Sequence, residues 1–171
     1  FGCGDARYKK FTEENNEYIG VDSKTTGFEN SKKNADIYWD NQTLPFENES
    51  FDIIICTEVL NQVDDINNTI NELKRVLKKG GKLFITMVFI FGEQDIPYDF
   101  TRFTSFGIKK IFEKKNFKVV EFKKLLKGKN SIIQIIESGI TKYINEKCIK
   151  NFKVFFQFFF KTILLVIKLL F

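Results

Sequence analysis

Asp22 is the first residue to consider for its chemistry. It ends the short apolar run Tyr18-Ile19-Gly20-Val21, and it lies 18 residues beyond Gly4. Gly2-Cys3-Gly4 forms a turn in which glycine lets the backbone approach a ligand closely, and a helix starting just after it would present free amides. A carboxylate about twenty residues beyond such a turn suits ribose, because it can accept hydrogen bonds from vicinal hydroxyls. Glu58, Tyr98, Asp99 and Arg102 are further candidates. The first three are groups that could take a proton, and Arg102 could orient an anionic substrate or pair locally with Asp99. The chain has no His, which removes the commonest general base and metal ligand. Cys3, Cys56 and Cys148 are too widely spaced for a zinc site, so no metal is expected. Their odd number, with no secretory signal, points to a reducing cytoplasm.

These residues need elements to position them. Phe51-Asp52-Ile53-Ile54-Ile55-Cys56 is a β-branched run without polar alternation, which is the pattern of a parallel strand buried on both faces. It stops on Thr57-Glu58, and the carboxyl ends of such strands are where open α/β sheets bind ligands. Residues 18–22, 34–40, 82–91 and 117–125 read as further strands. Helices are expected over 8–14, 64–78 and 104–115. In the second of these, Ile66, Ile70, Leu73, Val76 and Leu77 recur at helical spacing, acids stand at the start and bases at the end, and Gly80-Gly81 stops the run. Alternating strands and helices predict an α/β, Rossmann-like, doubly wound and mostly parallel sheet with helices on both faces. The glycine turn at the very start implies that a first strand is missing and that the true amino terminus lies upstream.

Three segments in this order carry a resemblance: Leu44-Pro45-Phe46, Ser50-Phe51-Asp52 and Arg75-Val76-Leu77-Lys78-Lys79-Gly80-Gly81. With Gly2-Cys3-Gly4, they make residues 1–122 similar to the class I methyltransferases that use S-adenosylmethionine, within the small-molecule group. Pro97-Tyr98-Asp99-Phe100-Thr101-Arg102-Phe103-Thr104 resembles a substrate-side loop of relatives in sugar and cell-envelope biosynthesis. The resemblance implies S-adenosylmethionine as cofactor and a small-molecule, sugar or lipid-linked methyl acceptor. By position, Gly2, Cys3 and Gly4 would pass under the methionine part and Asp22 would hold the ribose. Asp40 and Asn41 would face adenine, and Cys56 and Thr57 would line the sulfonium side. Two departures stand out. Ala6 replaces the third glycine of the turn, and Asn61-Gln62 stands where the family often has Glu-His, which excludes a histidine base there. A nicotinamide-dependent oxidoreductase is the alternative from the glycine turn and Asp22, but it leaves the Leu-Pro-Phe and Arg-Val-Leu segments unexplained. A non-catalytic remnant that binds a membrane or a partner is another.

Charge divides the chain. Residues 123–171 hold ten Lys and two Glu, so +8, while the rest hold 17 basic and 20 acidic groups, so −3. The expected organisation is a methyltransferase domain over 1–125 and a basic, apolar helical tail over 126–171. Ile132–Tyr143 reads as an amphipathic helix. In 152–171 the lysines gather toward one stripe of a nearly all-apolar run, which suits a helix lying in a membrane interface at the inner face of the cell membrane. Packing against the body or against a second copy, as a homodimer, is the competing account, and a bilayer span, with Lys161 near its middle, is the remaining one. No nucleic-acid partner is expected.

Overall fold

The computed structural model describes residues 1–12, 16–25, 32–89, 91–93, 95–124, 132–133, 135–137 and 139–140. The chain divides into two compact units, Phe1–Lys123 and Lys124–Phe171. In the second unit the described residues between 132 and 140 are helical, with Ile132, Ile135 and Ile136 exposed. Residues 152–171, and with them the interfacial helix expected there, lie outside the described residues. Among the described residues no helix is long and apolar enough to cross a membrane.

In the first unit four strands form two parallel pairs: β1 (Val21–Ser23) with β2 (Ile37–Trp39), and β3 (Phe51–Thr57) with β4 (Leu77–Thr86). Residues 1–3 bridge them. The Phe1 ammonium donates to the Ile55 carbonyl at 2.7 Å, and the Cys3 amide donates to the Val21 carbonyl at 3.0 Å. The lateral order is therefore β2, β1, residues 1–3, β3, β4. The strand order reverses at that seam, which is the topological switch point of a doubly wound sheet. The fold is α/β and Rossmann-like, as the alternation predicts.

Helix α1 (Ile66–Val76) and helix α2 (Ser105–Lys114) follow β3 and β4. The Asp65 carboxylate caps α1 by accepting from the Asn67 and Asn68 amides at 2.9 and 3.0 Å, and Thr104 caps α2 through the Gly107 amide. Each such cap contributes about 1 kcal/mol. Ile70, Leu73 and Val76 of α1, at most 1% exposed, pack with Ile54, Cys56 and Leu77, and Ile108 and Phe112 of α2 join them. Both helices thus cover the Ile54–Cys56 face of the β3–β4 pair. The opposite face, with Ile53, Ile55 and Phe84, is exposed.

Several boundaries differ from the sequence expectation. α1 ends at Val76, not at the glycines, because Leu77 is already extended and pairs with Phe51. Gly80 and Gly81 instead serve a bulge in β4. Between the pairs Phe51–Leu77 and Ile53–Lys82, β3 advances two residues and β4 five. Gly80 holds φ +77°, and a Cβ on Gly81 would stand 3.0 Å from the Asp52 carbonyl oxygen, so neither tolerates a side chain there without strain. The described residues of the expected strand over 117–125 carry no ladder. Their alternation is real, with Phe117 and Val119 packed on the core and Val120 and Phe122 exposed. Periodicity reports burial of one face, however, and not a hydrogen-bonded neighbour. The helix expected over 8–14 is a single 3-10 turn, Lys9–Phe11, within the described part.

One polar stripe of α1 explains why Leu-Pro-Phe and Arg-Val-Leu occur together. Asn68, Glu72 and Arg75 lie at i, i+4 and i+7 on a single helix face. Asn68 Nδ2 donates to the Asn41 and Gln42 carbonyls at 3.2 and 2.8 Å. Glu72 accepts from the Leu44 amide at 2.8 Å. Arg75 donates to the Phe46 and Leu44 carbonyls at 2.7 and 2.9 Å, and pairs with Glu72 at 2.7 Å. The β2–β3 connection from Asn41 to Phe46 is therefore clamped to the helix that follows β3.

Candidate active site

A cavity of about 440 Å³ opens at the carboxyl ends of the strands. The last residue of each strand lines it: Ser23 of β1, Trp39 of β2, Thr57 of β3 and Thr86 of β4. Phe1–Asp5, Arg7, Tyr8, Asp22 and Asn41 line it from the first half of the fold. Glu58, Val59, Asn61–Val63, Val88 and Asp95 line it from the second. Six described non-glycine residues have positive φ, and three of them, Asn41, Glu58 and Asp95, lie on this wall. Left-handed backbone costs free energy and persists where the surroundings demand it, so its concentration here marks a built site.

Gly2 holds φ +67°, and a Cβ there would fall 2.0 Å from Val59 Cγ2. Only glycine lets the turn pass beneath the loop after β3. Asp22 lies where its spacing from Gly4 puts it, and the reason is a direct bond: the Gly4 amide donates to Asp22 Oδ2 at 2.7 Å. Asp22 Oδ1 accepts from the Ser23 amide at 2.7 Å and pairs at 3.2 Å with Lys33, whose side chain is 1% exposed. Lys33 also donates to the Ser23 carbonyl. A carboxylate has about four acceptor positions. Among the described residues three are engaged, which leaves one on Oδ2, room for one hydroxyl and not for a vicinal pair.

The sequence-predicted site residues separate into two groups. Gly2, Cys3, Gly4, Asp22, Asn41, Thr57 and Glu58 are brought together on the cavity wall. Asp40 is not; it is exposed and its carboxylate accepts from the Gln42 amide at 3.0 Å, closing a turn outside the cavity. Cys56 does not line the wall either. It is 0% exposed, and burial pushes its thiol up to about 11. The alternation of β3 is the cause: Thr57 faces the cavity, so the preceding residue faces the core. Cys3 lines the cavity, with its thiol also pushed up by burial and next by the Asp22 charge.

Tyr98, Asp99 and Arg102 stand behind the wall. Arg102 forms a two-point ion pair with Asp99, and this bond holds the guanidinium above its ordinary value. Asp99, whose side chain is 4% exposed, also accepts from Asn61 Nδ2 at 3.2 Å. The Asn61 carbonyl accepts from the Phe100 and Thr101 amides at 2.9 and 3.1 Å, and Gln62 Nε2 donates to Asp95. Asn61-Gln62 thus moors the loop 95–101 as one side of the cavity. Two buried polar atoms have no hydrogen-bond partner among the described residues, Trp39 Nε1 and Asn61 Oδ1, and both belong to cavity-lining residues. Sequence reasoning passed over Trp39, Lys33 and the Asn68–Glu72–Arg75 stripe. Helical spacing of the polar residues in α1 could have revealed the last. No group of His, Cys, Asp and Glu among the described residues could hold a metal.

The position and lining fit a nucleoside cofactor: a glycine cradle, a carboxylate at the end of the second strand of the order, and unsatisfied polar atoms on the wall. Comparison with known proteins agrees. Residues 1–85 match the family model described as methyltransferase domain. Residues 1–85 thus carry a methyltransferase domain, and the fold is that of the class I S-adenosylmethionine-dependent methyltransferases.

Among particular relatives, it is 30% identical over 107 residues to a ubiquinone/menaquinone biosynthesis C-methyltransferase of Rhizobium etli, covering 62% of this chain and 37% of that protein. It is 40% identical over 45 residues to an uncharacterized protein of Methanocaldococcus jannaschii, or 26% of this chain and 20% of the relative. Among solved structures it resembles a SAM-dependent methyltransferase of Thermotoga maritima, described as a possible histamine N-methyltransferase. The TM-score is 0.53 at 22% identity, over 69% of this chain and 62% of that one, a likeness of fold alone. The chain spans 20% and 37% of the lengths of the two curated relatives named here.

Proposed function

We propose that this chain transfers the methyl group of S-adenosylmethionine to a small-molecule, sugar or lipid-linked acceptor. The observation that carries the reading is the convergence of all four strand ends, the Gly2–Gly4 turn and Asp22 on one cavity. The cofactor supplies an activated methyl on a sulfonium. The chain's task is then to align acceptor, methyl carbon and sulfur and to exclude water. Gly2 and Gly4 keep the floor of the site free of side chains, and the open lone pair of Asp22 Oδ2 suits one ribose hydroxyl. Glu58, which lines the cavity just beyond β3, is the candidate we favour to take a proton from a hydroxyl acceptor. Asp99 and Arg102 act instead as a clamp on the loop 95–101, which supports that loop as the acceptor-side wall.

Titration of the full chain with S-adenosylhomocysteine, followed by fluorescence of its one tryptophan, Trp39, tests this. Saturable quenching is expected, and Asp22→Ala should weaken binding by about 1–3 kcal/mol, the cost of leaving a buried hydroxyl unpaired. Equal affinity in parent and variant would sink the ribose assignment. Tighter binding of NAD than of S-adenosylhomocysteine would favour an oxidoreductase.

A further inference from the structure

Asn61 is anchored on every side but one. Leu60, 0% exposed, and Val63, 7% exposed, fix the backbone on both flanks. The Asn61 carbonyl is taken by the Phe100 and Thr101 amides. Its Nδ2 is held by Asp99, an acceptor-only carboxylate, which sets the orientation of the amide and makes the other terminal atom the oxygen. Arg102 holds Asp99 in turn. What remains is Oδ1, in a residue 3% exposed that lines the cavity, with no partner among the described residues. A desolvated amide oxygen without a donor is unfavourable. A bound group that carries a donor would remove this cost.

The neighbours of Asn61 indicate which group. Thr57, Thr86, Val88 and Asp95 share its side of the cavity wall, at and beyond the ends of β3 and β4, whereas Asp22, Trp39 and Asn41 belong to the β1–β2 side. We propose that Asn61 Oδ1 accepts a hydrogen bond from an N–H or O–H at the methyl-transfer position, so that the site selects acceptors whose nucleophilic atom carries a hydrogen. This rests on the methyltransferase reading above. An acceptor fixed in this way orients a nucleophile's lone pair toward the methyl carbon by holding its hydrogen away from it.

Two ligands test this without the acceptor being known. S-Adenosylhomocysteine has a bare thioether at the reacting position. Sinefungin has an amine-bearing carbon there and so presents N–H donors. Calorimetric titration of the full chain with each gives a ratio of affinities. Asn61→Leu is expected to weaken sinefungin roughly tenfold or more while leaving S-adenosylhomocysteine within about threefold, since only one ligand loses a charged hydrogen bond. Asn61→Ala, which removes the amide oxygen without adding bulk or charge, is expected to move the ratio the same way. If the leucine variant does not fold, the alanine variant decides alone: a ratio lowered against sinefungin supports the proposal, and an unchanged ratio overturns it. Equal losses on both ligands, or none, in Asn61→Leu also overturn it. A parent chain that binds S-adenosylhomocysteine but not sinefungin overturns this proposal only, while one that binds neither overturns the cofactor reading beneath it.

Discussion

Arg75→Met removes the guanidinium that clamps the Leu-Pro-Phe segment while keeping most of the apolar stem. The parent side chain donates to the Leu44 and Phe46 carbonyls at 2.9 and 2.7 Å and pairs with Glu72 at 2.7 Å. A hydrogen bond from a charged donor contributes about 1.5–3 kcal/mol. The Arg75 and Glu72 side chains are 27% and 12% exposed, so solvent replaces part of the loss. The expected destabilisation is about 2–4 kcal/mol, or roughly 8–16 °C in melting temperature for a unit of this size. A double-mutant cycle with Glu72→Gln should show coupling of about 0.5–3 kcal/mol. The pH dependence gives an independent check. The bond from Arg75 is the main reason that the Glu72 carboxyl titrates below its ordinary 4.5. A depressed folded-state value means stability that is fully present above about pH 4.5 and lost as pH falls through the lower folded value. The gap between parent and Arg75→Met should therefore narrow on acidification below about pH 4.5. Urea unfolding across this range measures it. A loss under about 0.5 kcal/mol, or a gap that does not change with pH, would refute the clamp.

Two further outcomes are expected. Gly2→Ala places a Cβ 2.0 Å from Val59 Cγ2 and strains a residue at φ +67°, so S-adenosylhomocysteine binding should fall at least roughly tenfold. Adding Val59→Ala should restore part of it by removing the clash, and unimpaired binding in the single variant would contradict the cradle. Cys56, fully buried with its thiol raised to about 11, should resist iodoacetamide at about pH 8 in the folded chain and react only in guanidinium. Modification of native Cys56 at the rate of a free thiol, read by mass spectrometry, would place it on the cavity after all.

The sequence by itself determined the order of elements from β1 to α2, the Gly2–Gly4 turn and the carboxylate of Asp22 beyond it. Each depends on local signals. β-Branched runs mark strands, apolar spacing marks α1, and glycine marks the turn at any tertiary arrangement. The resemblance assigns Cys56 and Thr57 together to the site, whereas Thr57 lines the cavity and Cys56 faces the core. What only the tertiary structure decided are the consequences of elements meeting. From the sequence Asp99 and Arg102 are candidates as catalytic groups, with a local ion pair as the alternative; in the structure Arg102 pairs with Asp99, which accepts from Asn61, 38 residues away. The glycines after α1 read as a helix stop, and they serve the bulge because β3 lies against them. The acceptor capacity of Asp22 is set by Lys33 and the Gly4 amide, which no spacing along the chain reveals. Local preferences depend on a few neighbouring residues, whereas a hydrogen-bond partner distant in sequence exists only once the chain has folded.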